Sequence, residues 1–301
     1  MAGGGPSLRR ARRRLSLPFW RHGWLRAVAE LVPPVAWMTL IYVAAVAALF
    51  VYAFWGVDSF TGKVVHAWSL DNFRQIFESG AFRGVIWRTV YIAAAVTATC
   101  AVLAFPFAYF MARLASPRVR AMLFVLVLLP LWSSYLVRVY AWKVILAQDG
   151  ILNWSLEQIG LPGANLGYSN WAMWLVFTYI WLPFMILPVF AALERIPHSY
   201  IEASRDLGAS GFTTMRRVIL PLALPGIVAG SIFTFSLTLG DYITPTLVGG
   251  AGSTFIGNIV YSTGLGVSGN LPFAAAFAAI PVVIMGIYLT LAKRTGAFDA
   301  L

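Results

Sequence analysis

One carboxylate stands apart in this sequence because it lies where other charges are almost absent. Asp241 follows Gly240 at the end of a long apolar segment, and Tyr242 comes directly after it. A carboxylate in apolar surroundings is costly and usually faces a cavity or a partner charge. Such a group can replace part of the hydration that a cation loses, so Asp241 and Tyr242 are candidates for a cation path. The alternative is a carboxylate exposed at the edge of the apolar layer.

Aromatic rings could assist that carboxylate, since a cation is attracted to the face of an indole or phenol ring. Trp132 and Tyr135 lie in a segment rich in aromatic residues, and with Tyr242 they complete the candidate path. The alternative for these rings is a belt at a membrane–water interface, where Trp and Tyr are enriched.

Residues that could catalyse a reaction are scattered. His22, His66 and His198 are far apart in the sequence and lack the spacing of metal ligands. No Ser or Cys nucleophile has His and an acid in a recognisable pattern, and Cys100 lies in an apolar run. The phosphate-binding sequence G-x-x-x-x-G-K-[ST] is also absent from the chain. We therefore expect no catalytic residue, no metal site and no bound cofactor.

A polar segment between two long apolar runs has the pattern of a short amphipathic helix. Helical geometry places Tyr200, Ala203 and Leu207 on one face, because residues three or four apart are neighbours on a helix surface. Glu202 and Asp206 lie on the other face. The segment could therefore present an apolar face and an acidic face to different surroundings.

Gly208 follows this helix and suits the left-handed conformation that often ends one. A second short helix is then expected over residues 212–220, with Pro221 stopping it. Two short helices joined by a glycine turn would form a rigid knob over residues 196–221. Such a knob can fill a groove on a partner protein.

The order of residues in this knob carries a resemblance. The relevant positions are Glu202, Ala203, Ser204, Gly208, Val218, Ile219, Leu220 and Pro221. Their spacing resembles the EAA motif of ABC importer permeases, which reads Glu-Ala-Ala, three residues, Gly, nine residues and Ile-x-Leu-Pro. This chain departs from the motif in having Ser204 for the second Ala and Val218 for Ile.

Three further stretches, residues 130–142, 239–250 and 256–258, look like those of spermidine/putrescine-type permeases. The similarity extends over residues 33–294. It implies the six-helix fold of type I importers and a small cationic substrate, a polyamine such as spermidine or putrescine. Polyamine-carrying members often have an acid after the Pro of the Pro-x-Leu-x-Gly-Gly stretch, where this chain has Thr246.

The resemblance also implies partners. A dimer of ATPase subunits would bind ATP and Mg²⁺ and dock on the knob, with Glu202 contacting its groove and Gly208 permitting the tight turn. The alternative for Glu202 is a solvated charge favoured by the helix dipole. A second six-helix permease subunit, of a different sequence, and an extracytoplasmic substrate-binding protein would complete the transporter. Arg138 could pair with a carboxylate of that binding protein, or else contact lipid headgroups.

Composition shows what surrounds these residues. Sixty per cent of the 301 residues are apolar or aromatic and 11% are charged, whereas about 25% of residues are charged in soluble domains. Lipid is therefore the expected solvent. The net charge of +11 does not indicate nucleic-acid binding, because the Arg residues gather at the ends of apolar segments.

Six apolar runs reach the length of about 20 residues that a membrane-spanning helix needs. They cover residues 33–55, 85–112, 121–141, 171–193, 222–244 and 272–292. The Arg-rich start is similar to that of a signal peptide, but the run after it is too long for one. We expect an all-α polytopic membrane protein that retains its first helix.

The loops indicate the orientation, because Lys and Arg accumulate on the cytoplasmic side. With both termini inside, 16 Lys and Arg lie on the inner side and six on the outer side. We therefore predict a multi-pass protein of the bacterial inner membrane with a cytoplasmic knob. Its parts would be a basic arm over residues 1–32, a permease domain over residues 33–294 and a tail over residues 295–301.

Two other classes of membrane protein compete with this interpretation. A secondary transporter or channel would need no ATPase, but it would usually carry inverted repeats and coupling-ion acids in several spans. Only Asp241 is available here. A membrane enzyme would need converging His or acidic residues in adjacent spans, which the sequence lacks. The permease would not be an enzyme by itself, although the assembled complex would hydrolyse ATP.

Overall fold

The computed structural model describes residues 23–58, 61–164, 166–266 and 269–294, and most of these residues are helical. The chain divides into two compact units, residues 1–51 and 52–301. Strands β1 (Gly56–Val57) and β2 (Val64–Val65) pair antiparallel. The helices are α1 (Gly23–Ala53), α2 (Asp71–Glu78), α3 (Gly80–Tyr109), α4 (Pro117–Trp132), α5 (Tyr135–Ile145), α6 (Ile151–Gln158), α7 (Asn170–Arg195), α8 (His198–Asp206), α9 (Gly211–Thr214), α10 (Leu220–Leu239), α11 (Ile243–Val248), α12 (Ile256–Gly264) and α13 (Leu271–Arg294).

Several of these helices are long enough to cross a bilayer. By length and composition the described residues hold five such segments: Ala27–Ala53, Gly80–Leu114, Asn170–Arg195, Gly211–Leu239 and Leu271–Lys293. A sixth candidate is the pair α4 and α5, which meet at an angle of 93°. The prediction of an all-α protein with several membrane-spanning helices is confirmed. The placement of both termini inside stays a prediction.

The third span is broken, so the prediction of one helix over residues 121–141 is wrong. The chain is extended at Ser133 and Ser134, with ψ angles of 150° and 134°. Ser133 Oγ donates to the carbonyl oxygen of Pro130 at 2.7 Å, and this local bond competes with continuation of the helix. Helix α5, which follows the break, carries Arg138, a charge that a lipid-facing span would rarely hold.

The predicted stop at Pro221 is also wrong. Helix α9 starts at Gly211 and runs without a break through a π-helical turn over Met215–Ile219 into α10. A π-helical adjustment can accommodate the hydrogen bond that a proline cannot donate. The fifth span ends at Leu239 rather than at residue 244 as predicted.

Helix α1 starts at Gly23 rather than at Pro33, where the first span was predicted to begin. Pro33 and Pro34 lie inside it. Side chains such as Trp37 and Tyr42 are 67% and 72% exposed, as expected for a surface that lipid or a partner covers. Most of the predicted basic arm, and the predicted tail, lie outside the described residues.

The main core of residues 52–301 forms where α7 packs against α3 and α10. Two glycines allow α10 to approach α7 closely. A Cβ atom at Gly226 would lie 2.6 Å from the carbonyl oxygen of Pro188, and one at Gly230 would lie 2.6 Å from Met185 Sδ. Small residues serve the same purpose in many membrane proteins, where packing rather than hydrophobic burial associates helices.

Candidate coupling loop and transport path

The knob predicted between the fourth and fifth spans consists of α8 and the start of α9. Helix α8 covers His198–Asp206, and Gly208 follows it with a φ of +75°. No heavy atom lies within 4 Å of a Cβ built on Gly208. The glycine is therefore required by the backbone conformation, which disfavours L side chains, and not by crowding.

The two faces of α8 have different surroundings. Ile201 packs against the main core, and Ser204 Oγ lies 3.0 Å from Thr214 Oγ1 of the following helix. The predicted apolar face is left open, with Tyr200 53% and Leu207 88% exposed. A partner that covered this face would remove apolar surface from water, which stabilises an interface.

The structure places the residues of the EAA-like motif in two groups. Glu202 and Ala203 are exposed on α8, next to the turn at Gly208. Leu220 and Pro221 are exposed in the first turn of α10, which belongs to the spanning helix rather than to the knob. The role of all these residues in binding an ATPase stays a prediction.

Arg113 supports the start of the knob, a role that the sequence did not reveal. Its Nη2 donates to the carbonyl oxygens of Leu193 and Ile196 at 2.6 and 2.5 Å, and its Nη1 lies 3.5 Å from His198 Nε2. These carbonyls end α7, where a positive charge is favoured by the helix dipole. The guanidinium thus connects the end of the second span to the entry of α8.

Arg120 reinforces the same corner. Its Nε and Nη2 each donate at 3.1 Å, to the carbonyl oxygens of Met111 and Ala112. Its Nη1 lies 3.2 Å from Glu194 Oε1. The sequence showed both arginines only as positive charges of a short inner loop, because most of their partners lie far away along the chain.

Asp241 is 9% exposed and lies in a network of hydrogen bonds. Its Oδ1 accepts from the backbone N–H groups of Ile243 and Thr244 at 2.7 and 3.0 Å, which caps α11. Its Oδ2 accepts from the hydroxyl of Tyr135 and, at 3.4 Å, from that of Thr244. Asp241 lies beyond the span that ends at Leu239, and burial raises its pKa while these hydrogen bonds oppose the rise.

The candidate aromatic residues do not form one group. Tyr135 joins Asp241 and stacks on Trp181 at 5.7 Å between ring centroids. Tyr242 is 39% exposed and stacks instead on Tyr261 at 4.8 Å. Trp132 is 83% exposed at the end of α4. The sequence does not single out their stacking partners, Trp181 and Tyr261, because neither has a distinctive spacing from Asp241 or from the other aromatic residues.

Arg138 lies three residues after Tyr135 on α5 and is half-buried. Its Nε and Nη1 are shielded from solvent and have no hydrogen-bond partner among the described residues. Contact with a binding protein stays a prediction for this side chain. Within the described part of the chain, no three His, Cys, Asp or Glu side chains lie close enough to hold a metal ion.

The fold is that of a helical membrane protein with a short helical knob between two of its spans. Residues 104–296 match the family described as "Binding-protein-dependent transport system inner membrane component". The chain belongs to this family. It is a permease subunit of an ABC importer and lies in the inner membrane.

Individual relatives agree with this membership. The chain is 47% identical over 296 residues to the inner membrane ABC transporter permease protein YdcU of Escherichia coli K12, covering 94% of each chain. It is 34% identical over 223 residues to the spermidine/putrescine transport system permease protein PotB of Haemophilus influenzae, covering 73% of this chain and 77% of PotB.

A solved structure shows that the fold is shared. A chain of a bacterial alginate ABC transporter, crystallised with a periplasmic protein that holds an alginate pentasaccharide, superposes with a TM-score of 0.74. The match covers 95% of this chain and 98% of the other at 19% sequence identity. At that identity the likeness establishes the fold alone.

Proposed function

We propose that this permease subunit forms part of the path for a small organic cation, with polyamines such as putrescine and spermidine as the substrate class. The observation that carries the proposal is the buried carboxylate of Asp241, bonded to the phenol of Tyr135 at the end of the fifth span. A carboxylate and aromatic rings are the groups that attract an ammonium ion in a water-poor site. The similarity to PotB, a permease protein of a spermidine/putrescine transport system, supports the same substrate class.

The energy would come from a separate ATPase dimer that docks on the knob. The exposed side chains of Tyr200 and Leu207 supply the apolar surface for docking, and Glu202 adds a charge on the other face of α8. ATP-driven closure of the dimer would move the knob and, through Arg113, the ends of the second and fourth spans. A second permease of different sequence and an extracytoplasmic binding protein would complete the transporter.

The competing substrate class is an acidic saccharide, as in the alginate transporter with the similar fold. The 19% identity to that protein carries no information on substrate. A path for a polyanion would be expected to present cationic side chains. Arg138 lies on α5 near Tyr135, but the group bonded to Tyr135 is the carboxylate of Asp241, just after α10. The earlier alternative of a secondary transporter or channel loses its support, because the family consists of components of binding-protein-dependent systems.

Uptake by the reconstituted transporter tests the proposal. The chain is placed in proteoliposomes with its partner permease, ATPase and binding protein, and uptake of labelled putrescine and of an alginate oligosaccharide is measured with ATP inside. We expect ATP-dependent uptake of putrescine and none of the oligosaccharide. Uptake of the oligosaccharide without uptake of putrescine or spermidine would overturn the assignment of a cationic substrate.

A further inference from the structure

A polar pocket lies in the loop between the broken third span and α7, on the side predicted to face away from the cytoplasm. Its volume is about 350 Å³. The described residues that line it are Gln148, Asp149, Asn153, Glu157, Gly163 and Ala164. None of these has a large apolar side chain, so the pocket presents mainly oxygen atoms and is separate from the candidate transport path.

The side chain of Asn153 is buried and incompletely bonded. It is 6% exposed, and its Nδ2 donates to the carbonyl oxygens of Ala147 and Gln148 at 3.3 and 2.8 Å. Two acceptors on one side of the amide fix its orientation, because only the nitrogen can donate. Asn153 Oδ1 is left without a partner among the described residues.

That oxygen faces Gly163, which lines the same pocket. A Cβ atom built on Gly163 would lie 3.5 Å from Asn153 Oδ1. A buried acceptor without a donor is costly, so a ligand that offers positive charge or a hydrogen bond would satisfy it.

Two carboxylates share the pocket. Asp149 and Glu157 stand four residues before and after Asn153, and Asn153 and Glu157 lie on one face of α6 because residues four apart are neighbours on a helix. Both carboxylates are exposed, and neither has a hydrogen bond or ion pair with another described residue. A single water molecule could satisfy Asn153 but would leave both charges uncompensated.

We propose that this pocket binds a divalent cation, with Ca²⁺ as the ion of choice. Ca²⁺ takes six to eight oxygen ligands from carboxylates, amide or backbone carbonyls and water in flexible geometry, whereas Mg²⁺ demands a tight octahedron. Asp149, Glu157 and the amide oxygen of Asn153 supply such ligands, and water would fill the rest. His and Cys, which zinc prefers, do not line the described pocket. An organic ammonium would find little apolar surface there for its methylene groups.

Terbium luminescence measures this binding on the full chain in a non-ionic detergent. Tb³⁺ substitutes for Ca²⁺, and Trp154, the neighbour of Asn153, can sensitise its emission. We expect a saturable signal that Ca²⁺ displaces at about 0.1–1 mM, the range of extracellular Ca²⁺ sites. Na⁺ at matched ionic strength should not displace it.

Variants locate the site. Asp149→Asn and Glu157→Gln should each weaken Ca²⁺ binding about tenfold, because affinity follows the ligand charge. Glu78→Gln, at an exposed carboxylate of α2, is the control and should bind as the wild type does. Size-exclusion profiles establish that each variant is folded, and the exposed Glu157 keeps the test valid if Asp149→Asn misfolds. A wild-type signal that does not saturate, or that millimolar Ca²⁺ leaves unchanged, overturns the proposal, as does wild-type Ca²⁺ affinity in Glu157→Gln.

Discussion

Asp241 is both a hydrogen-bond acceptor within the fold and a carboxylate near the end of the fifth span. Its Oδ1 caps α11, and its Oδ2 accepts from the hydroxyl of Tyr135 on α5, so the carboxylate holds two elements together. At the same time it brings negative charge to the end of the fifth span. A structural cap needs an oxygen acceptor but not a charge, whereas attraction of a cation needs the charge. These two roles can therefore be separated by substitution.

The first prediction uses that difference. Asp241→Asn keeps an oxygen for the N–H groups of Ile243 and Thr244, so its thermal unfolding in detergent should stay close to that of the wild type. Asp241→Ala also loses the cap and should be less stable by about 1–2 kcal/mol. Both variants should lower uptake of a cationic substrate severalfold in the reconstituted transporter. Wild-type uptake by the folded Asn variant would restrict Asp241 to a structural role.

At the scale of elements, the knob is held by the turn at Gly208 and by the hydrogen bonds of Arg113 to the spans. Gly208 fixes the angle between α8 and α9 through its left-handed backbone, and the bond between Ser204 and Thr214 holds the two helices together. Arg113 then connects the start of α8 to the second and fourth spans. We therefore expect docking and transmission to depend on different residues.

The second prediction concerns docking. Gly208→Val forces a β-branched residue into a conformation that costs about 1–2 kcal/mol for L residues, and it should reduce co-purification of the ATPase subunit. Gly208→Asn is the matched control, since Asn tolerates this conformation and no neighbouring atom obstructs its Cβ. Full co-purification and transport with Gly208→Val would argue against the knob as the docking site.

The third prediction concerns transmission. Arg113→Gln replaces the guanidinium by a shorter, neutral amide, so the bonds to the carbonyl oxygens of Leu193 and Ile196 should be lost and α8 should be less firmly positioned relative to the spans. The assembled complex should still bind its ATPase subunits, but less solute should enter per ATP hydrolysed. Arg118→Gln, which removes the same charge from an exposed position in the first turn of α4, is the control. An unchanged ratio of uptake to ATP hydrolysis in Arg113→Gln would exclude this role.

At the scale of the whole molecule, the proposed docking of an ATPase requires that the knob face the cytoplasm. The distribution of Lys and Arg, 16 on one side and six on the other, predicts that both termini and the knob are cytoplasmic. The proposed Ca²⁺ pocket and Asp241, which follows α10, would then face outward. The assignment of both sites to a side of the membrane rests on this orientation.

The fourth prediction tests the orientation with reporter fusions. A reporter that is active only outside the cytoplasm should give signal when fused near Asp149 or Ser253. It should give none near Arg118, near Ser210 or at the C-terminus. The reverse pattern would move the knob to the outer side and remove it as a docking site for an ATPase.

The sequence by itself determined the properties that depend on neighbours along the chain. Lipid as solvent, the approximate apolar runs and the glycine turn after α8 follow from local composition and spacing, because a helix is defined by residues three or four apart. The motif from Glu202 to Pro221 is local in the same way, and it sufficed to identify the family.

Only the tertiary structure decided which distant groups meet. The partners of Arg113 and the bond between Tyr135 and Asp241 join residues about 80 and 106 positions apart, and no periodic pattern records such pairs. The break at Ser133 escaped prediction because the flanking run is apolar enough to read as one span. Asn153 has no distinguishing pattern in the sequence, and only the fold buries its amide beside a pocket that two carboxylates line. Long-range contacts are set by how helices pack, and packing depends on the whole chain at once.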